Sequence, residues 1–166
     1  MGLADRQAVR HSYNDAYRRP GSLFGMRPDP AVEQIVRERG VSGRALDLGA
    51  GDGRHSVFLA RNGFTVDAVD ISEQAVAKLS RLALEEALPI FPRLGDCADP
   101  DCIAGPYEMV VADTVLGHFE PGEARQVGAR IAAALAPGGW LFVTAFAPGD
   151  PRQSEFAPLV RAYFRP

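Results

Sequence analysis

Short apolar runs alternate with amphipathic segments along this 166-residue chain. The apolar runs predict buried strands, whereas apolar residues spaced three and four positions apart predict helices. Strands are predicted at 44–49, 64–70, 90–94, 107–113 and 140–146, and helices at 4–18, 30–39, 53–62, 73–86 and 121–136. This alternation is typical of an α/β fold in which a parallel sheet is covered by helices on both faces.

Length and composition indicate one globular domain. The chain is 46% hydrophobic and 23% charged, which is ordinary for a domain of this size. Residues 1–40 are expected to form a helical N-terminal preface or cap, 41–147 the β-α-β core, and 148–166 a C-terminal segment. No internal repeat or low-complexity tract interrupts this series.

Charge and cysteine content narrow the class of partner. The formal net charge is −3, so the chain lacks the excess of positive charge that is typical of proteins that bind nucleic acid or an anionic membrane. Cys97 and Cys102 are expected to be reduced thiols. No apolar leader and no apolar run near the roughly 20 residues of a membrane span is evident. These features predict a cytoplasmic protein that binds neither nucleic acid nor membrane; the small-molecule partner is implied by the family resemblance described below.

The stretch DLGAGDG at 47–53 carries the most informative chemistry, because it follows a predicted strand and opens a helix. Glycines allow a tight turn and a close approach of backbone to ligand. Asp70 ends the next predicted strand, 21 residues after Gly49. A carboxylate at that position can accept hydrogen bonds from the ribose hydroxyls of a nucleoside cofactor.

The spacing of the glycines bears on which nucleoside cofactor binds. A dinucleotide fingerprint needs a third glycine where this chain has Arg54. The sequence also argues against a nicotinamide-dependent reductase. The Tyr-x-x-x-Lys pair of such an enzyme is missing, because Lys78 is the only lysine and has no tyrosine four positions before it. S-adenosylmethionine has no pyrophosphate, and Asp47 with the loop carbonyls suits its ammonium group.

Four segments together resemble class I S-adenosylmethionine-dependent methyltransferases: 45–72, 95–100, 109–121 and 135–146. Within that superfamily, the sequence after the glycines and the preface at 13–36 are most similar to the tellurite-resistance methyltransferase type. The resemblance implies a Rossmann-like, doubly wound sheet of strand order 3-2-1-4-5. It also implies S-adenosylmethionine as cofactor and S-adenosylhomocysteine as product.

The resemblance implies a cofactor site at the carboxyl ends of the strands. The glycines would shape the loop under the methionine part, and residues 113–115 would lie near the sulfonium. Asp70 would bind the ribose diol with Ile71 against the adenine, and Asp96 would accept from the adenine amino group beside Cys97. The expected cofactor-binding residues are Asp47, Gly49, Ala50, Gly51, Gly53, Asp70, Ile71, Asp96, Cys97, Asp113, Thr114 and Val115.

Other polar residues leave alternatives open. His118 is a candidate base or acceptor-positioning group, or a structural histidine. Tyr17, with Tyr13, either covers the cofactor or docks the first helix. Arg54 either contacts the cofactor carboxylate or an anionic substrate, or is a solvent-exposed residue in the first turn of its helix. Arg27 either binds an acidic substrate or lies at the surface. We take His118 and Tyr17 as the candidate catalytic residues.

No metal site is predicted. The acidic and cysteine-containing loop at 96–102 has no histidine and no Cys-x-x-Cys pair, and its carboxylates combine poorly with soft thiolates.

These observations predict in-line methyl transfer to a small-molecule acceptor such as a chalcogen oxyanion or a thiol, which needs little help from a base. The alternative is a S-adenosylmethionine-binding protein or subunit without independent turnover. Its motivation is a chain that, by the resemblance, is expected to lack the superfamily's strands 6 and 7, which would leave strand five with an open edge. Either a homodimer or partner chain covers that edge, or residues 155–164 fold over it with four side chains inward: Phe156, Leu159, Val160 and Phe164.

Overall fold

The computed structural model describes residues 3–145 and 160–164, the latter as backbone. The strands are β1 Gly43–Leu48, β2 Phe64–Asp70, β3 Ile90–Leu94, β4 Tyr107–Asp113, β5 Leu135–Ala145 and β6 Val160–Phe164. The α-helices are α1 Leu3–Tyr17, α2 Pro30–Arg39, α3 Arg54–Arg61, α4 Glu73–Glu85 and α5 Pro121–Ala134. Short 3-10 helices span Pro100–Cys102 and Val115–His118. The predicted elements are all present, with boundaries that differ by a few residues.

The strands form one sheet of order β3-β2-β1-β4-β5-β6. The first five strands are parallel, so the predicted order 3-2-1-4-5 is confirmed. β1 lies between β2 and β4, with Asp47 opposite Ala68 on one side and Val111 on the other. This reversal of strand order beside β1 opens a crevice at the carboxyl ends of β1 and β4, where α/β sheets bind ligands.

The sheet buries apolar side chains on both faces. Along β4, Met109 and Val111 join the cluster packed by α2, α3 and α4, whereas Val110 and Ala112 join the cluster packed by α5. All four side chains are fully buried. Alternate residues of an extended strand point to opposite faces, so a continuous apolar run is what a sheet covered twice requires.

Capping residues explain why the N-terminal ends of α2 and α4 could be predicted from the sequence. The Asp29 carboxylate accepts a hydrogen bond from the Ala31 N–H at 2.9 Å, and Pro30 occupies the first turn of α2. Ser72 caps α4 by accepting from the Ala75 N–H at 3.2 Å. Each cap satisfies a backbone donor that has no partner inside its helix.

β5 begins earlier than predicted. It was expected from residue 140, but the strand starts at Leu135, directly after α5. Its pairing with β4 is irregular: Leu135 lies opposite Tyr107, and Trp140 lies opposite Met109. A side chain at Gly139 would come within 2.9 Å of the Tyr107 carbonyl oxygen, so the glycine permits the close backbone approach at this bulge.

The edge of β5 is covered by the C-terminal segment of this chain, which is one of the two alternatives expected from the sequence. β6 pairs antiparallel with β5, from Leu141 opposite Phe164 to Ala145 opposite Val160. Edge pairing of this kind satisfies backbone groups that an exposed edge would leave without partners. Phe156 and Leu159 lie outside the described residues, as do the side chains of β6, so their expected inward packing is untested.

Helix α1 crosses the carboxyl edge of the sheet and contacts the loop after β3 and the first turns of α4 and α5. Arg6 pairs with Asp96 and with Glu123, and Arg10 pairs with Glu73. The Asn14 side chain accepts a hydrogen bond from the Ser72 hydroxyl at 2.8 Å. Polar contacts of this kind are individually weak, and together they hold α1 across the crevice. None of the helices in the described residues is both long and apolar enough to cross a membrane.

Candidate functional site

A cavity of about 280 Å³ lies beneath α1, at the carboxyl ends of the strands. Small-molecule sites typically occupy roughly 300–1,000 Å³, so this cavity has a volume close to that range. Of the expected site residues, it brings together Gly49, Ala50, Gly51, Asp70, Ile71, Asp96, Cys97, Asp113, Thr114, Val115, Tyr17 and His118. It does not bring in Asp47 or Gly53.

The glycine loop supplies the floor of the cavity. Gly49 and Gly51 have φ values of +68° and +56°, in the left-handed region that favours glycine. The Gly49 N–H donates to the Val69 carbonyl at 2.8 Å, which ties the loop to β2. A Cβ at Gly51 would overlap the Tyr17 hydroxyl, so the absence of a side chain lets α1 approach the loop.

Gly53 has a structural role that differs from the prediction. Its φ is +100°, and a Cβ there would overlap the Leu79 side chain of α4. Gly53 therefore allows α3 to start close against α4 and does not line the cavity.

Asp70 lies at the end of β2 and is only 7% exposed. Its two carboxylate oxygens accept hydrogen bonds from the Gly51 and Ser72 N–H groups, each at 2.8 Å. Burial raises the pKa of this carboxyl group, and the two backbone donors oppose the rise. Each oxygen keeps acceptor capacity toward the cavity, which suits a pair of adjacent hydroxyl groups.

Asp96 and Cys97 follow β3 and line the same cavity. The Asp96 carboxylate accepts from the Ala98 N–H at 2.8 Å and from Arg6 at 3.2 Å. Cys97 is buried, and burial raises the pKa of its thiol, so it contributes apolar surface rather than a thiolate.

The segment after β4 forms the opposite wall. The Asp113 carboxylate accepts from the Thr144 hydroxyl and pairs with the Arg54 guanidinium. Thr114 has a φ of +61°, an uncommon conformation for a side chain branched at Cβ. Its N–H is held by the Thr144 hydroxyl at 2.8 Å, and this bond stabilises the turn that places Asp113 and Val115 at the cavity.

His55, beside Arg54, is neutral. It is 3% exposed, and its Nε2 accepts a hydrogen bond from the Asp29 N–H at 3.2 Å, so that nitrogen carries no proton. Burial, followed by the charge of Arg54, lowers the pKa of His55. Although Asp113 lies 3.8 Å from the same nitrogen, the accepted backbone bond excludes an ion pair between them.

Asp47 lies behind the loop instead of in the cavity. It is 1% exposed, and its carboxyl group accepts from the Ser56 hydroxyl at 2.6 Å. Burial raises the pKa of Asp47 to about 7, against the lowering effect of the Ser56 hydrogen bond. The expected contact of Asp47 with the cofactor ammonium therefore has no counterpart in the geometry.

Replacement of Asp47 by Asn should change how stability depends on pH. The ordinary pKa of 3.8 is raised to about 7 in the folded state, so the folded protein binds more protons between these values. The stability from protonated Asp47 is complete below about pH 4 and is lost as pH rises through about 7. We expect Asp47→Asn to raise the free energy of unfolding by about 4 kcal/mol at pH 8, since one pKa unit corresponds to about 1.4 kcal/mol. Urea unfolding across pH 4–8 measures this, and a difference from wild type that is constant with pH contradicts it.

His118 and two tyrosines form an aromatic group at the cavity. Tyr13 and His118 are joined by a 3.1 Å hydrogen bond between the Tyr13 hydroxyl and Nε2, and their rings meet edge to face. Tyr17 stacks on Tyr13 with a centroid distance of 6.1 Å and is 3% exposed. Burial lowers the pKa of His118 and raises the pKa of both tyrosines, so all three side chains are uncharged at neutral pH.

Several cavity residues were absent from the predicted site: Val9, Phe24, Asp29, Asp52, Arg54, His55 and Phe119. Asp52 accepts hydrogen bonds from the Leu23 N–H at 2.8 Å and the Ser22 hydroxyl at 3.1 Å. It thereby fastens the segment between α1 and α2 to the glycine loop. Its position between two glycines was a usable signal, whereas nothing near Phe24 in the sequence indicates a site.

Metal binding has no support from the geometry. Across the described ranges, no three His, Cys, Asp or Glu side chains are grouped so that they could hold an ion. Cys97 and Cys102 are both buried and form no disulfide with each other.

A parallel sheet with this strand order, a glycine loop after β1 and a carboxylate at the end of β2 defines a Rossmann-like, nucleoside-binding class of protein. The family model described as "Methyltransferase domain" matches residues 45–139. The chain belongs to this family, and the predicted class of S-adenosylmethionine-dependent methyltransferases is confirmed.

The names of two curated relatives indicate different kinds of methyl acceptor. The chain is 38% identical over 102 residues to a ubiquinone biosynthesis O-methyltransferase of Caulobacter sp. strain K31, covering 60% of this chain and 39% of the relative. It is 33% identical over 154 residues to ribosomal RNA small subunit methyltransferase C of Alcanivorax borkumensis, covering 87% of this chain and 44% of the relative. The chain thus spans about two fifths of the length of these relatives.

Solved structures agree with the fold and the cofactor class. Magnesium protoporphyrin IX methyltransferase from Synechocystis PCC 6803 with bound SAM has a TM-score of 0.71 at 27% identity, covering 89% of this chain and 78% of that one. The same enzyme is also known with bound SAH. TehB from Haemophilus influenzae has a TM-score of 0.67 at 19% identity, covering 89% and 54%, and this likeness concerns the fold alone. The prediction of S-adenosylmethionine as cofactor and S-adenosylhomocysteine as product is confirmed for the family; a tellurite-type acceptor stays a prediction.

Proposed function

We propose that this chain binds S-adenosylmethionine in the cavity beneath α1 and transfers the methyl group to a small-molecule acceptor. One observation carries the proposal: the glycine loop, Asp70 and Asp96 follow three different strands and line one cavity. The residues fit the cofactor, because the glycine loop lines the cavity without side chains at Gly49 and Gly51, and Asp70 directs a buried carboxylate to the same cavity.

Each part of the cofactor has a suitable partner in this proposal. Asp70 holds the ribose diol, while Ile71 and Cys97 contact the adenine and Asp96 accepts from its amino group. Arg54 and Asp113 line the cavity as an ion pair of opposite charges, which suits a carboxylate and an ammonium group. The bound cofactor supplies a methyl group already activated on a sulfonium.

In this proposal the protein itself orients the acceptor, excludes water and accepts a proton. Residues 1–40 act in this proposal as a cap, because α1 contacts Asp96, Glu73 and Glu123 around the cavity. Tyr17, buried against the glycine loop, excludes water from the reacting groups. Neutral His118 lines the cavity and serves as the proton acceptor.

Methyl transfer is tested with labelled S-adenosylmethionine and a panel of thiols, oxyanions and hydroxyl compounds. We expect label in at least one acceptor and release of S-adenosylhomocysteine. His118→Gln should lower turnover roughly tenfold without changing affinity for S-adenosylhomocysteine, since the imidazole moves a proton rather than holding the cofactor. His11→Gln is the matched control, because that side chain is 78% exposed.

The outcomes separate the alternatives. Binding of S-adenosylmethionine without transfer to any acceptor favours a binding protein or subunit without independent turnover. No binding by the wild-type protein in calorimetry contradicts the proposal altogether.

A further inference from the structure

The cavity carries a strong excess of negative charge. Five carboxylate side chains line it: Asp29, Asp52, Asp70, Asp96 and Asp113. Among the described residues of its lining, Arg54 alone is cationic, and it already pairs with Asp113. Arg6 reaches Asp96 from outside the lining but also pairs with Glu123. A bound S-adenosylmethionine has a net charge of about +1 and offsets only part of this excess, so an anionic acceptor is repelled.

One wall of the cavity is mainly aromatic and apolar instead of acidic. It is formed by α1, by the segment between α1 and α2, and by the 3-10 helix Val115–His118 together with the residue that follows it. It presents Val9, Tyr13, Phe24 and Phe119 to the cavity, together with His118. Phe24 is 46% exposed, although a phenylalanine is costly to leave in water. An exposed aromatic side chain at a cavity is a typical contact for the ring of a ligand.

Polar groups on this wall are uncharged. The hydroxyl of Tyr13 lies 3.1 Å from the His118 imidazole, and the two rings meet edge to face. A hydroxyl compound bound here meets a neutral proton acceptor and aromatic faces. Among the described residues that form this wall, none is a cation that would select an oxyanion.

We infer that the acceptor is an uncharged phenol or a similar aromatic hydroxyl compound. This inference rests on the proposed methyl transfer. The ring packs against Tyr13, Phe24 and Phe119, and the hydroxyl meets His118. The acceptor oxygen forms the new O–CH3 bond as the methyl–sulfur bond breaks, and the sulfonium becomes a neutral thioether. The hydroxyl proton passes to Nδ1 of the imidazole, whose Nε2–H donates to the Tyr13 hydroxyl. Tyr13 is a positioning residue that orients His118.

Matched probes test the charge of the acceptor. The wild-type protein loaded with S-adenosylhomocysteine is titrated with 4-hydroxybenzyl alcohol, with the anion 4-hydroxybenzoate, and with selenite. We expect the uncharged phenol to bind at least tenfold more tightly than either anion. Equal or tighter binding of an anion overturns the inference, as does the failure of a panel of uncharged phenols to bind at millimolar concentration.

The same titration separates this inference from the proposed function. If S-adenosylhomocysteine itself does not bind, the proposed function fails and the inference fails with it. If S-adenosylhomocysteine binds but the uncharged phenols do not, the inference alone is overturned.

A pair of variants tests the aromatic wall. Phe24→Ala should weaken binding of 4-hydroxybenzyl alcohol five- to tenfold and change the affinity for S-adenosylhomocysteine less than twofold. Met26 lies in the same segment, is 41% exposed and does not line the cavity, so Met26→Ala should change neither affinity. An equal loss in both variants, or no loss in Phe24→Ala, contradicts the assigned wall. Phe24→Tyr, which keeps the ring, should retain the affinity of the wild type.

Discussion

Replacement of Asp70 by Ala lowers the affinity for S-adenosylhomocysteine at least 100-fold in calorimetry. The proposed pair of bonds from a carboxylate to two hydroxyl groups contributes about 3–6 kcal/mol, since each charge-assisted bond contributes roughly 1.5–3 kcal/mol. The same variant also removes the acceptor of the Gly51 N–H, which loosens the glycine loop.

Two further variants isolate this effect. Asp70→Asn keeps the shape and one acceptor oxygen, so its loss should be smaller, about tenfold. Asp67→Asn changes a carboxylate of the same strand that contacts Arg44 and Tyr107 and lies outside the cavity lining. It should leave the affinity unchanged. Equal affinities of Asp70→Ala and wild type, with both proteins folded by circular dichroism, would remove Asp70 from the cofactor site.

Replacement of Gly51 by Ala is expected to weaken S-adenosylhomocysteine binding by one to two orders of magnitude. An alanine at φ +56° costs about 1–2 kcal/mol in backbone strain. Its Cβ would also overlap the Tyr17 hydroxyl, so α1 has to move away from the loop. Calorimetry measures the affinity, and thermal unfolding measures the strain.

Strain and overlap are separated by two comparisons. Gly40→Ala has nearly the same φ of +60° but no atom within 4 Å of its Cβ, so it should cost stability without affecting the site. Tyr17→Phe removes the overlapping oxygen, and the double variant should recover about tenfold in affinity relative to Gly51→Ala. If the two substitutions act independently, the contact between α1 and the loop has no part in binding.

The sheet could be predicted from the sequence because its elements are marked locally. The run at 107–113 is continuously apolar, as a strand buried on both faces has to be. Asp29 and Ser72 are cap residues whose hydrogen bonds reach only two or three positions along the chain. Where the outcome depended on pairing between distant segments, the sequence was less decisive. β5 starts at Leu135 instead of residue 140 because it pairs with β4, and the pairing of β6 with its edge was only one of two alternatives.

The candidate site divides in the same way. Gly49, Gly51 and Asp70 could be proposed from spacing, because parallel strands bring their carboxyl ends to one edge, and the family resemblance added Asp96. Asp47 belongs to the same motif, but its side chain points behind the loop to Ser56. Its direction is set by the packing of α3 against β1.

By itself, the sequence determined the α/β class, because alternating apolar and amphipathic segments are local signals. Its motifs also carried the family resemblance that implied the strand order and the cofactor class. Only the tertiary structure decided the character of the acceptor wall. Tyr13 and Phe24 lie near the N-terminus, 105 positions before His118 in the case of Tyr13, and only the packing of α1 across the sheet edge brings the three to one cavity. The excess of carboxylates there likewise follows from which side chains the fold turns inward, although the whole chain carries a net charge of only −3.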